Sequence, residues 1–230
     1  GNKYVDCVIA ASYINYLLEL DFINFKNSIF WVHNTDFYPW YCGNELPNNG
    51  RDYLLDKRLT HIVCLTEWHK QNFVSQFPEI KSKVKVIGNG INKKSFNTKN
   101  KKKISNSFIY TSHAERGLKT ILEDWPTIKN NLPNASLNIA TPEYGLDFLE
   151  EHYLDIIENL DGVNYHGSLS QKKLYDLMAE CKYWYYPTEY EETFCITALE
   201  MLGHRVLPIV KESAGLTETL NGFNVKSLDN

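Results

Sequence analysis

Two glutamates separated by seven residues, Glu192 and Glu200, bracket the start of a helical pattern in the stretch 185–203, YYPTEYEETFCITALEMLG. The apolar run Tyr183–Tyr186 reads as a buried strand and Pro187–Glu191 breaks it. From Phe194 onward Ile196, Leu199 and Leu202 fall on one helical face. A strand that enters a helix through a polar loop leaves backbone N–H groups and a positive dipole end at that loop, a seat for phosphate. Thr193, Phe194 and Cys195 would supply those N–H groups. At about 1.5 Å of rise per residue, Glu200 sits on the order of 9 Å below them. A ligand with a diphosphate at the helix tip and a ribose beside Glu200 would match both ends.

A diphosphate leaving group also needs cations. Arg116 follows the predicted strand 107–111 and precedes Gly117, where backbone can approach a phosphate closely. A cation at a helix start opposes the dipole, so a second reason for it is needed. Lys119 is the candidate to act with it. His33 ends the strand pattern SIFWVH and precedes the aromatic loop 36–43, DFYPWYCG, whose rings could stack on a sugar or pack internally. Cys195 at a helix start would have a lowered thiol pKa, but no His/Asp pairing supports a nucleophile there. His69, His113 and His204 lack ligand-like spacing and read as structural. No D-x-D stands at a strand end, so a divalent metal is not implied, and no other cofactor is expected. No G-x-G-x-x-G follows a strand, which disfavours a dehydrogenase.

These residues need a frame to hold them. The 230 residues, 43% hydrophobic, suffice for one large α/β domain or two small ones. A net charge of −4 gives no global basic footprint for nucleic acid. No apolar run reaches the roughly 18–20 residues of a membrane span, and no signal-peptide pattern opens the chain. Five cysteines without C-x-x-C spacing fit reduced thiols, and the expected location is cytoplasmic.

Strand and helix patterns alternate: strands at 5–10, 28–33, 60–65 and 84–87, with helical patterns at 13–20, 51–59 and 67–77. The basic run Lys99–Lys103, a solvated linker, interrupts them. The alternation then restarts with strands at 107–111, 135–140, 163–166 and 183–186, and helices at 118–130, 146–160 and 171–181. Two α/β domains with parallel sheets and helices on both faces follow, 1–98 and 106–230 joined by 99–105. In such sheets ligands sit at the carboxyl ends of the strands.

Several segments, in order, resemble the retaining glycosyltransferases of the GT-B fold, above all the family 4 group. Glu192–Glu200 resembles that family's E-x7-E motif, flanked by Tyr186-Pro187-Thr188 and Met201-Leu202-Gly203. The segment 84–92, VKVIGNGIN, with Phe96 resembles the end of the N-terminal domain, with Gly88 where Pro is usual. The segment 111–118, TSHAERGL, resembles the opening of the C-terminal domain, with Thr111 where an Arg is frequent. The segment 165–170, YHGSLS, resembles the loop facing the nucleobase and brings in Gly167.

The resemblance implies two Rossmann-like domains, the first lacking its opening strands and Gly-rich loop, so that its sheet would expose an unpaired edge. It implies a nucleotide-diphosphate sugar donor and a saccharide, lipid-linked or protein acceptor, with peripheral membrane contact left open. Glu192 would hold the transferred sugar or stabilise charge at its anomeric carbon, and His33 would face sugar and acceptor. A catalytically incomplete nucleotide-sugar-binding or partner-binding fragment is the alternative. An isomerase of the same fold lacks support from the pairing of Arg116 with E-x7-E.

Overall fold

The computed structural model describes residues 3–14, 17, 20, 22–35, 40–41, 44–45, 50–96, 101–147, 149–221 and 226–227. The chain divides into two compact units. The first is Gly1–Asn89 with Glu191–Phe194 and Ala214–Thr219. The second is Gly90–Tyr190 with Cys195–Ser213 and Leu220–Asn230.

The elements of the first unit begin with β1 (Lys3–Ala11), β2 (Ile23–Trp31), β3 (Trp40–Tyr41) and β4 (Asn44–Glu45). They continue with α1 (Arg51–Leu55), β5 (His61–Cys64), α2 (Glu67–Gln76) and β6 (Val84–Val86). β1, β2, β5 and β6 form a parallel sheet in that order. The core gathers Phe30, Ile62, Cys64 and Val84 of the sheet with Leu54 and Phe73 of the helices. β1 is the outer strand, and its Tyr4 and Ile9 are 65% and 57% exposed. The helical pattern expected at 13–20 falls largely outside the described residues. So does the aromatic loop 36–43, of which the two-residue strand β3, paired antiparallel with β4, is described. The helix expected over 51–59 is shorter, closing at Leu55 where Asp56 turns to an extended backbone.

The second unit contains β7 (Ser107–Tyr110), α3 (Leu118–Asn131), β8 (Ser136–Ile139), α4 (Glu151–Asn159) and β9 (Val163–Tyr165). It continues with α5 (Gln171–Glu180), β10 (Tyr183–Tyr186), α6 (Ile196–Gly203) and β11 (Leu207–Val210). The short helix α7 (Ala214–Thr219) joins the first unit, and β12 (Lys226–Ser227) returns to the second. The six-stranded sheet is parallel throughout, in the order β12-β11-β10-β7-β8-β9. β7 is buried at all four positions, as a central parallel strand must be.

In α3 the residues Leu118, Ile121, Leu122 and Trp125 are buried at helical spacing, and they hold the helix despite Pro126 inside it. Trp125 packs edge-on against Phe108 and donates its indole N–H to the Asp161 carbonyl at 3.0 Å. The single helix expected over 146–160 is a 3₁₀ turn, Glu143–Leu146, followed by α4 from Glu151.

The basic run is more than solvated charge. Lys101 pairs with Glu180, and the Lys103 ammonium donates to the carbonyls of Met178 at 3.0 Å and Cys181 at 2.6 Å. Those carbonyls close α5, where a cation complements the dipole. Burial nonetheless pulls the Lys103 pKa down to about 8.

Candidate functional site

The strand order of the second unit defines where a ligand can bind. From β7 the chain proceeds outward through β8 and β9, then crosses back to β10 and proceeds the other way through β11 and β12. The switch point is therefore between β7 and β10, and in open α/β sheets ligands bind outside the carboxyl ends of the strands at such a point. The segment after β7 carries Arg116, and the segment after β10 carries Pro187–Tyr190. The two segments touch. The Arg116 guanidinium lies 4.1 Å from the centre of the Tyr190 ring. A Cβ on Gly117, which sits at φ +101°, would be 2.9 Å from the Pro187 carbonyl oxygen. Glycine is needed there both for its left-handed backbone and for the close approach of the two loops.

The loop after β10 is fixed from within. Thr188 is fully buried and its hydroxyl accepts the Tyr190 N–H at 3.0 Å, while Ser213 donates to the Tyr190 carbonyl at 2.9 Å. Tyr190, which the sequence does not mark, thus becomes the platform on which Arg116 rests.

Glu200 lies in α6, half-buried, and accepts a 2.6 Å hydrogen bond from the Tyr175 hydroxyl of α5. Burial and the Glu200 carboxylate push the Tyr175 pKa up to about 12. Tyr175 also neighbours Phe96 and His204, whose rings meet edge-on at 4.8 Å. His204 Nδ1 lies 2.8 Å from the Glu200 carbonyl. The residue pair Tyr175–Glu200 escapes sequence reading because nothing local links positions 25 apart.

The expected helix start is corrected. α6 begins at Ile196, with Cys195 as its N-cap, so Thr193 and Phe194 precede it. Its buried positions are Ala198 and Met201, whereas Ile196 is 43% exposed. Cys195 is buried at 5% exposure. Gly167, in the loop after β9, has φ +62° and open space where a Cβ would stand. Lys119 lies beside Glu150 at 3.5 Å and the Tyr153 ring at 5.3 Å, and these anionic and phenolic neighbours raise its pKa. It borders a cavity of about 440 Å³ whose walls join Gly117 and Pro187 of the two touching loops to Glu115, Glu150 and Glu189.

The other candidates fall in the first unit. Glu192 and Thr193 are buried, at 6% and 9% exposure, and the Glu192 carbonyl accepts the Gly215 N–H at 2.7 Å. The Thr193 hydroxyl donates to the His33 carbonyl at 2.8 Å, bringing His33 beside the motif residues 160 positions away. His33 lies two residues past β2 and stacks on Trp31, and burial lowers its pKa.

Phe194 explains the departure at Gly88: a Cβ there would meet the Phe194 ring at 2.8 Å. The first N–H groups of α2 are taken by Glu218, whose carboxylate accepts from Glu67 at 2.8 Å and Trp68 at 2.5 Å. An acidic side chain of the chain itself therefore fills that helix N-terminus. Among the described residues no group of three or more His, Cys, Asp or Glu is arranged to hold a metal ion, and no helix is long and apolar enough to cross a membrane.

No family model matches the sequence, and no curated protein does. Solved structures do match. A glycosyltransferase from Rickettsia africae superposes with a TM-score of 0.70 over 95% of this chain and 60% of its own, at 17% identity. The catalytic domain of starch synthase IV from Arabidopsis thaliana, bound to ADP and acarbose, gives 0.68 over 98% and 60%, at 12% identity. Anabaena HepE in complex with UDP-glucose gives 0.65 over 93% and 61%, at 13% identity. The chain has the GT-B fold, with two parallel-sheet α/β units, and spans about 60% of the length of each of these structures.

Proposed function

We propose that the chain serves a glycosyltransferase that moves a sugar from a nucleotide-diphosphate sugar to an acceptor hydroxyl with retention of configuration. The observation that carries the reading is the switch point between β7 and β10. There Arg116 and the loop leading to the E-x7-E motif converge on the carboxyl ends of the two strands. The UDP-glucose named with one GT-B neighbour and the ADP named with another support the donor class.

In this reading Arg116 stabilises the diphosphate as the glycosidic bond breaks, aided by the first N–H groups of α6. Glu200, fixed by Tyr175, accepts ribose hydroxyls, and Gly167 leaves room for the base. Glu192 and His33 face the transferred sugar. The leaving phosphate takes the acceptor proton, so attack and departure share one face and configuration is kept. No further cofactor is invoked.

A second reading has a specific observation behind it. The chain spans about 60% of each matched structure, which favours a nucleotide-sugar-binding piece that needs further chain for transfer. Thermal-shift measurements against a panel of uridine, adenosine and guanosine diphosphate sugars test the shared premise, since a ligand that binds the folded state raises Tm by mass action. A folded chain that none of them stabilises refutes both readings. Donor stabilisation combined with turnover supports the first; stabilisation with transfer confined to a longer chain supports the second.

A further inference from the structure

The first unit contains a hydrogen-bond network that the proposed chemistry leaves unused. The Thr193 hydroxyl donates to the His33 carbonyl at 2.8 Å, and the Thr193 carbonyl accepts the Thr66 hydroxyl at 3.1 Å. Thr66 is the N-cap of α2, and its hydroxyl also accepts the His69 N–H at 3.1 Å. The His69 ring is fully buried, with Nδ1 3.1 Å from the Leu65 N–H and Nε2 3.0 Å from the Asn34 carbonyl. Nδ1 must accept and Nε2 must donate, so the ring is neutral and its tautomer is fixed. The consecutive carbonyls of His33 and Asn34 are therefore each gripped by a buried side chain, one from residue 193 and one from α2. Buried carbonyls need partners in any fold, but these two lie on consecutive residues and fix the backbone that carries the His33 ring.

We propose that Thr193 is a positioning residue: its side chain, braced by Thr66 and matched by His69 on the next carbonyl, sets the place of the His33 ring. The consequence for transfer rests on the glycosyltransferase reading above, whereas the effect on His33 does not. The Thr193 side chain then acts on protein rather than on a phosphate. The titratable group facing His33 among the described residues is His69, held down to about 4 by burial, so it stays neutral while His33 titrates. Glu192 is the carboxylate adjoining Thr193 in the chain.

The test is an NMR titration of the His33 ring on the full chain, assigned with His33→Gln, in wild type, Thr193→Val and Thr193→Ser. Valine keeps the shape and deletes the hydroxyl; serine keeps the hydroxyl. Wild type is expected to titrate below the ordinary value, because burial penalises the imidazolium. Thr193→Val should move the midpoint up toward about 6.5 as the ring gains solvent, and Thr193→Ser should restore it. An unchanged midpoint in a folded Thr193→Val chain overturns the proposal, as does a serine variant that behaves like valine. If Thr193→Val does not fold, His69→Gln, which can still accept and donate, and His69→Leu, which cannot, apply the same comparison through the Asn34 carbonyl. With a nucleotide-sugar donor, Thr193→Val should lower kcat tenfold or more with donor KM within threefold. A wild type that turns over no donor counts against the glycosyltransferase reading, and the titration still decides the role of Thr193.

Discussion

The two units hold their candidate residues in different ways. In the first, His33, Glu192 and Thr193 are buried or half-buried and are fixed through backbone carbonyls, at His33 by Thr193 and at Glu192 by Gly215. In the second, Arg116 and Glu200 are held through their side chains, against a Tyr190 face and a Tyr175 hydroxyl. A backbone grip tolerates little displacement, because the ladder of neighbouring bonds must move with it. A side-chain grip can be exchanged for a ligand group at small net change, since one hydrogen bond replaces another. The first arrangement suits groups that must meet a reacting centre within narrow limits; the second suits groups that release one partner to take another.

The comparison is broken most directly at Glu192. Glu192→Gln should leave nucleotide affinity near wild type and lower kcat by roughly 100-fold or more, the scale of losing a preorganised electrostatic group. Steady-state rates and donor binding on the same preparation check it, and a rate within threefold of wild type takes Glu192 out of the reaction. Arg116→Ala comes next, at about 2–4 kcal/mol in kcat/KM by the same reasoning. Arg116→Lys keeps the charge but not the planar stacking on Tyr190, and should recover only part of that loss. Full recovery by lysine would show that the Tyr190 platform is incidental.

How much of this was readable from the chain follows the same division. β10 appears where the apolar run 183–186 placed it, because a central parallel strand is bounded by its own hydrophobicity. The two-unit GT-B architecture was likewise legible, through motifs lying in order along the chain. The start of α6 was not. Periodicity ran the helix back to Phe194, but Phe194 packs beside Gly88 and the Thr193 hydroxyl is bonded to His33, contacts over 106 and 160 positions. No local pattern contains such partners. The surroundings of Lys119 were hidden for a related reason: its neighbours Glu150 and Tyr153 arrive from α4 and its approach, beyond the whole of β8.

The pH dependence of stability sharpens the contrast at moderate size. His69 has a folded-state pKa lowered to about 4 against an ordinary 6.5, so the unfolded chain takes up the proton first. Its contribution is complete above pH 6.5 and is lost as pH falls from there toward 4. Urea midpoints should therefore drop between pH 7 and 4.5 by the equivalent of about 2 kcal/mol. His69→Gln should flatten that decline, and a variant as pH-sensitive as wild type would place the acid lability elsewhere.

The smallest effect is expected at Tyr175. Removing its hydroxyl deletes one hydrogen bond to Glu200 but leaves the carboxylate able to accept from ribose, so Tyr175→Phe should weaken nucleotide binding by about 0.5–1.5 kcal/mol. Glu200→Gln removes the acceptor itself and should weaken it more, because the charge-assisted bonds are the stronger ones. Calorimetric titration of the nucleoside diphosphate into both variants measures the gap. If Tyr175→Phe matches Glu200→Gln, the tyrosine is as indispensable as the acid, and the second unit is then as tightly interlocked as the first. If binding tightens instead, the hydroxyl competes with ribose for the carboxylate, and Glu200 is a group that exchanges partners on binding.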